Sequence, residues 1–309
     1  QDFRDRIWTN QATQRAMQSR DNLGALQQIE RDLTEADGFY SNKLDTDKRN
    51  AVLRTVIGDR MRLENRLQHD TDRREARAEK VLTEIDRQIA SGVPATAEMW
   101  IAWGEKVKGT AYEGEMKQRL DEEAKVQKVL LLPVDQQLSF VQQREAKLLN
   151  GGGTVRDQAN LTRMKGAVES NVKQLQESPL LFNQNRTGQP VQPLDISLLA
   201  GPDGGNKVAD VMRDRVASIT AMQKQYGSQV QMRPLLPQEA KFLIKALDQA
   251  SPKQQTELFG ALRVAIGDDS AFTSAMHQIA PDSPVKALAG MRMAKQRKIT
   301  IEKNWIADD

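Results

Sequence analysis

The chain has 309 residues, of which 28% are charged and 5% aromatic, and its mean hydropathy is -0.63. Its 45 Lys and Arg residues nearly balance its 42 Asp and Glu residues, so the chain as a whole is not a polyelectrolyte that binds nucleic acid through net charge. The absence of cysteine excludes disulfide bonds and cysteine-ligated zinc. This composition predicts helices with thin cores and large solvated faces.

The residues before the first proline, Pro94, predict two helices. The first is expected at about 2–33, with an apolar side formed by Ile7, Leu23, Leu26, Ile29 and Leu33. The second is expected at about 45–90 and would be about 70 Å long. Between Leu67 and Ala78 the second helix has no apolar stripe, which is typical of a segment that bridges solvent or is held by ion pairs.

Proline and glycine delimit the helices that follow. We expect them at 96–108, 112–132, 135–149 and 154–177. Trp100 and Trp103 share one face of the first of these helices with Val107. Thr154 with Asp157 three residues later predicts a capped helix start after the flexible turn at 151–153.

Prolines and glycines are frequent at 179–205, and this composition predicts a linker. The chain is therefore expected to contain a long-helix region at 1–178, the linker, and a small helical bundle at 206–309. Helices of that bundle are expected at 206–226, 237–249, 251–266, 269–280 and 283–301. The predicted fold is all-α, with an elongated long-helix N-terminal region followed by a compact multi-helix bundle.

No residue pattern in the sequence indicates a catalytic or metal site. The phosphate-binding loop, the zinc-binding H-E-x-x-H pattern and the nucleophile elbow are all missing from the sequence. Glu113 and Glu115 are candidates for the carboxylate pair of a glycosidase, but favourable charge at a helix start explains them better. We therefore predict no enzymatic activity, no cofactor and no small-molecule substrate.

Two groups of residues are candidates for macromolecular contacts. Those expected in an oligomer interface or a core are Leu53, Val56, Leu63, Leu67, Leu82, Ile85, Trp100 and Trp103. Those expected to contact DNA or a membrane surface are Arg292, Lys295, Arg297, Lys298 and Lys303. A solvated helix end, where cations are favourable, is the alternative interpretation of the second group.

Four stretches carry a resemblance to a known family. They are Phe3 to Gln14, Pro94 to Thr110 with its two tryptophans, Gln136 to Gly153, and Ile279 to Ala287. In this order they resemble the internal virion, or ejection, proteins of short-tailed bacteriophages and related prophages. Some members of that family carry a lytic transglycosylase domain elsewhere in a longer chain, and the present sequence looks like a piece of such a chain.

The resemblance implies a structural role in the virion. The protein would be packaged inside the capsid, ejected with the genome, and assembled with copies of itself and with other ejection, portal or tail proteins into a conduit across the host envelope and periplasm. Any transglycosylase activity would lie outside these residues. Two alternatives remain open: a nucleic-acid-binding scaffold, and a non-catalytic accessory region of a cell-wall-degrading virion enzyme.

Overall fold

The structure is a computed structural model that describes residues 2–281 and 286–295. Within these residues all regular secondary structure is helical and no β-strand occurs, which confirms the all-α class. The helices are α1 (Asp2–Gln18), α2 (Leu23–Thr34), α3 (Thr46–Ser91), α4 (Ala97–Val107), α5 (Glu113–Leu130), α6 (Val134–Leu149), α7 (Val155–Glu177), α8 (Pro179–Thr187), α9 (Ile196–Leu199), α10 (Gly204–Lys207), α11 (Ala209–Tyr226), α12 (Pro237–Gln249), α13 (Pro252–Ile266) and α14 (Asp269–Ile279). Residues 286–295 are also helical. None of the described helices is both long enough and apolar enough to cross a membrane.

The N-terminal stretch forms two helices where the sequence analysis predicted one. The chain leaves α1 after Gln18, and Asn22 begins α2 by accepting a hydrogen bond from the backbone N–H of Ala25 on its side-chain oxygen. Asparagine is a preferred residue at this position because its side chain satisfies a free N–H of the first turn. Ile7, predicted on the apolar side, is half exposed.

The long helix α3 agrees closely with its predicted bounds. Its 46 residues run without interruption from Thr46 to Ser91. Burial is confined to two stretches, formed by Val52, Val56, Asp59 and Leu63 at one end and by Ala78, Val81, Leu82, Ile85 and Ile89 at the other. Residues 65–74 between them are all exposed, as the missing apolar stripe predicts.

The chain divides into two compact units at positions that differ from the predicted boundaries. Unit 1 comprises Gln1–Leu82 and Ala102–Gly114, whereas unit 2 comprises Thr83–Ile101 and the chain from Glu115 onwards. The last turns of α3 thus belong to unit 2, and part of α4 returns to unit 1. A linker identified by composition alone could not reveal this arrangement, because it depends on which distant residues pack together.

Unit 1 is built around α1, α2 and the first half of α3. Its core consists of Ala12, Ala16, Leu26, Ile29, Leu33, Tyr40, Leu44, Val52, Val56 and Leu63. Ion pairs lie at the edges of this core: Arg15 of α1 with Asp32 of α2 at 2.7 Å, and Arg20, in the turn after α1, with Asp59 of α3 at 3.2 Å. Leu26, Ile29 and Leu33 recur at helical spacing and account for the buried side of α2.

An aromatic cluster closes one end of unit 1. The rings of Trp8 and Phe39 meet edge to face at 5.8 Å, and those of Phe39 and Tyr40 at 4.9 Å. The Lys43 ammonium lies 3.1 Å from the centre of the Phe39 ring and 4.7 Å from that of Trp8. Ring quadrupoles attract such a cation, so Lys43 stabilises the turn between α2 and α3.

Residues of the predicted linker contribute to two hydrophobic clusters of unit 2. Leu180 and Phe182 pack with Leu175, Ile219 and Tyr226, while Leu194 and Leu199 pack with the helices from α11 onwards. The prediction of a linker at 179–205 is therefore corrected, since the prolines and glycines of this stretch shape short helices and turns that carry buried leucines. The apolar residues between the prolines were the signal for this packing.

Most of the later helix bounds follow their sequence signals. Thr154 and Asp157 form the predicted capping box at the start of α7, and Ser251 and Gln254 form another at the start of α13. The final helix, predicted at 283–301, is helical over residues 286–295, and its remaining positions lie outside the described residues.

Candidate interaction surface on the long helix

The middle of α3 presents an exposed helical surface, here called the α3 mid-segment and defined as residues 64–77. None of its residues is buried. Leu67, within it, leaves 48% of its side chain exposed, and Met61, just before it, leaves 54% exposed. A helix that is polar on all sides gains little from packing and depends on ion pairs or on a neighbouring molecule.

Charges of both signs alternate along the α3 mid-segment. The basic residues are Arg66, Arg73, Arg74 and Arg77, and the acidic ones are Glu64, Asp70, Asp72 and Glu75. Several of them have partners in unit 1: Arg66 binds Asp21 at 2.7 Å, Arg74 donates to the carbonyl of Lys108, and Glu75 accepts from the backbone N–H of Ala111. Within α3, Glu64 pairs with Arg60 and Asp72 accepts from Gln68. Asp70, Arg73 and Arg77 are exposed and accessible to another macromolecule.

The predicted interface residues of α3 divide into core and surface positions. Val56, Leu63, Leu82 and Ile85 are buried within this one chain. Leu53 is partly buried against the unit 1 core. Leu67 alone among the α3 candidates is exposed, so it is the residue of that set that a second molecule can reach without unfolding.

The two tryptophans of α4 have different environments. Trp103 is buried, as is Val107 one turn later. Trp100 is partly buried, and its indole N–H donates to the Glu123 carboxylate at 2.9 Å. Glu123 also accepts the backbone N–H of Ala95, so it holds the start of α4 against α5. This arrangement favours a structural role of both tryptophans.

An ion-pair network joins α3, α5 and α7 inside unit 2. Arg163 donates to both carboxylate oxygens of Glu122, at 3.0 and 2.7 Å, and pairs with Asp86 at 3.2 Å. Burial acts to lower the pKa of Arg163, but hydrogen bonding to Glu122 and the charges of Glu122 and Asp86 raise it above its ordinary value. Arg119 pairs with Asp86 and Glu115. Every charge of this network has an opposite partner, which indicates a structural role.

Glu113 and Glu115, the candidates for a glycosidase carboxylate pair, also have structural partners. Glu115 binds Arg119, and Glu113 accepts the backbone N–H of Gly109 at 3.2 Å. Within the described residues, no group of three or more His, Asp or Glu side chains is placed to hold a metal ion. Both glutamates thus help to hold the start of α5 in place.

Sequence reasoning missed the most enclosed ion pair of the described residues, between Arg215 of α11 and Glu239 of α12. Both side chains are nearly inaccessible, and the guanidinium also donates to the carbonyls of Pro234 and Gln192. The signal was present in the sequence: Arg215 lies three residues after Met212 and four before Ile219, both fully buried. An arginine on the apolar side of a helix indicates a buried partner.

The basic C-terminal candidates are described only in part. Arg292 and Lys295 are exposed on the helical stretch at 286–295, whereas Arg297, Lys298 and Lys303 lie outside the described residues. Exposure leaves the two described cations accessible to a polyanion or an anionic surface, and it is equally typical of a solvated helix end.

Comparison with known proteins identifies no relative of this chain. No protein-family model matches the chain, and neither a curated protein nor a solved structure is significantly similar to it.

Proposed function

We propose that this chain is a structural segment of an internal virion, or ejection, protein that assembles with copies of itself during phage genome delivery. The proposal combines the sequence resemblance with one structural observation, the exposed α3 mid-segment, with half-exposed Leu67 inside it and half-exposed Met61 just before it. It also includes the predicted route, from the virion interior to the host envelope and periplasm, and contacts with other ejection, portal or tail proteins.

The physical argument for self-association begins with the stability of the α3 mid-segment. A helix shorter than about 12–15 residues is marginal in water unless packing supports it. Residues 65–74 are exposed on every side, so their helical conformation depends on the packed ends of α3 and on ion pairs. A second helix laid along this surface would bury Met61 and Leu67 and stabilise the segment.

Charge order favours a second copy as that helix. Asp70 and Asp72 are followed at once by Arg73 and Arg74. Two copies running antiparallel about this point would place the acidic pair of one helix beside the basic pair of the other. Such complementary charges set the orientation of paired helices even where each exposed pair contributes little energy.

The test is light scattering on the purified chain over a concentration series. We expect a defined oligomer for the native chain, dissociation for Met61→Asp combined with Leu67→Asp, and an unchanged oligomer for Phe242→Asp. Phe242 is a matched control because it is 59% exposed and lies on α12 of unit 2. A native chain that stays monomeric at all concentrations, or equal behaviour of the two variants, would contradict assembly through α3.

The virion role needs a separate measurement. Purified phage particles that encode the chain should contain it protected from added protease, and after infection it should appear in the host envelope fraction. Detection by mass spectrometry of both fractions checks the route. Self-association without packaging would support a structural protein of another kind. Peptidoglycan turnover by the isolated chain would favour the accessory-region alternative.

A nucleic-acid-binding scaffold is the second candidate function, and the exposed Arg292 and Lys295 favour it. Each phosphate contact that a protein makes steepens the salt dependence of DNA binding by about one unit of slope. Replacing Arg292, Lys295 and Arg297 with glutamine should therefore weaken binding and flatten the slope. An unchanged slope would remove these residues from any DNA interface.

A further inference from the structure

Arg186, in the last turn of α8, has an unusual set of partners. Its guanidinium donates to the side-chain oxygens of Gln127 at 2.7 Å and of Asn171 at 3.1 Å. It also lies 5.4 Å from the centre of the Phe182 ring. The side chain is partly buried, between α5, α7 and α8 of unit 2.

Neither hydrogen-bond acceptor of Arg186 is charged. Arg163 and Arg215, the more deeply buried arginines of unit 2, each bind a glutamate through two hydrogen bonds. Arg186 forms no ion pair with any described residue. Charges withdrawn from water are normally paired, so this guanidinium differs from the other two in lacking its counter-ion.

Surrounding groups only partly offset this charge. The C-terminal end of a helix carries about half an elementary negative charge, which falls off within one turn. Burial lowers the pKa of Arg186, and the charge of Tyr226 acts in the opposite direction to a smaller extent. Burial also raises the pKa of the Tyr226 phenol, which favours its neutral form. The uncompensated charge persists, since an arginine in a protein stays protonated.

The amides that hold Arg186 are themselves fixed. Asn171 donates to the Gln137 side-chain oxygen at 3.1 Å, and Gln137 donates to the carbonyls of Leu130 and Leu132. Both Asn171 and Gln137 are buried. These hydrogen bonds orient the Asn171 side-chain oxygen towards the Arg186 guanidinium. The orientation of the guanidinium is therefore fixed before any ligand binds.

We propose that Arg186 is a binding site for a single oxyanion, either a phosphate or a carboxylate group. A guanidinium has five N–H donors in a planar fork. The hydrogen bonds to Gln127 and Asn171 use two of them and leave N–H groups free for a bidentate contact with the anion. The anion supplies the counter-charge that Glu122 and Glu239 supply to the other two arginines. This site is independent of assembly through α3.

The test is a titration of the purified chain with inorganic phosphate, and in a parallel arm with acetate, each against sodium chloride at equal ionic strength. Thermal unfolding should rise with the oxyanion beyond the chloride control. Arg186→Gln should weaken the apparent affinity by about tenfold, the loss of one charge-assisted contact. Arg213→Gln should behave as the native chain, because Arg213 is exposed and its partner among the described residues is the exposed Asp210.

A second measurement keeps the proposal testable if Arg186→Gln does not fold. The Arg186 Nε–H signal is assigned in the nitrogen NMR spectrum of the native chain as the signal that the spectrum of Arg186→Lys lacks. It should shift on adding phosphate or acetate, and the larger shift identifies the preferred group. A signal that moves no more than with chloride, or stabilisation that is equal in Arg186→Gln and Arg213→Gln, would overturn the proposal.

Discussion

Arg215 and Glu239 form a bidentate ion pair in the interior of unit 2, with Nη1 of Arg215 2.7 Å from Oε2 of Glu239 and Nη2 2.8 Å from Oε1. The same carboxylate accepts the backbone N–H groups of Leu194 and Leu236 at 2.8 Å each. One glutamate therefore joins α11, the start of α12 and the segment before α9. The four hydrogen bonds to the carboxylate offset the cost of burying it, whereas the buried Nε of Arg215 has no hydrogen-bond partner among the described residues.

Removing one partner of this pair should be strongly destabilising. We expect Arg215→Met to lower the free energy of unfolding by about 3–5 kcal/mol, because Glu239 would remain charged and buried without its cation. Urea denaturation measures the change. Arg213→Met, at an exposed position of the same helix, is the control and should stay within about 0.5 kcal/mol.

The double variant Arg215→Met with Glu239→Leu sharpens this prediction. It removes both charges together and should be more stable than Arg215→Met alone. If the double variant were less stable than Arg215→Met, the lost stability would come from packing and from the freed backbone N–H groups of Leu194 and Leu236, not from an unpaired carboxylate.

The core of unit 1 should be sensitive to cavities. Ile29 is fully buried, so Ile29→Ala should lower the free energy of unfolding by about 2–5 kcal/mol through lost burial and the space left behind. Met17→Ala is the comparison, because more than half of that side chain is exposed. Similar losses for both variants in chemical denaturation would mean that α1 packs more tightly than its exposure indicates.

A close approach of α10 to α13 should make Gly205 irreplaceable. A Cβ atom at Gly205 would come within 2.5 Å of the carbonyl oxygen of Ala261 and 2.8 Å of Cβ of Val264. Gly205→Ala should therefore lower the melting temperature markedly, since backbone must move. Gly114→Ala, within α5 and with open space around the added methyl group, should raise it slightly. Equal effects in thermal unfolding would contradict the close contact.

The two capping boxes should respond differently to pH. Hydrogen bonds from the Thr154 backbone N–H and hydroxyl hold the pKa of Asp157 below its ordinary value. Asp157 therefore stabilises the folded chain above the ordinary pKa of an aspartate, and this stabilisation is lost as the pH falls through the lower, folded-state pKa. The stability difference between the native chain and Asp157→Asn should shrink on acidification.

Gln254 provides the control for that prediction. It occupies the same position of the capping box at α13 but does not titrate. The stability difference for Gln254→Ala should thus be independent of pH over the same range. Denaturation curves at several pH values measure both, and a parallel decline of the two differences would assign the effect to general acid unfolding.

Local sequence signals predicted the individual helices well. The capping residues Thr154 and Ser251 and the proline at Pro237 mark helix starts because their effects act within one turn. The break before Asn22 was missed although it has a local signal: Ser19, Asp21 and Asn22 are poor helix formers, and Asn22 is a preferred capping residue. The candidate surface was predicted in part, through the missing apolar stripe after Leu67.

The sequence by itself determined the all-α class, the long helix and its solvated middle, because helical periodicity and capping are properties of neighbouring residues. Tertiary structure alone decided which apolar residues form cores and which stay exposed. It buried Leu63 and left Leu67 accessible one turn later, it packed Leu194 and Leu199 of the predicted linker into unit 2, and it paired Arg215 with Glu239. These outcomes depend on contacts between residues far apart in the chain, and such contacts leave only weak signals in one sequence.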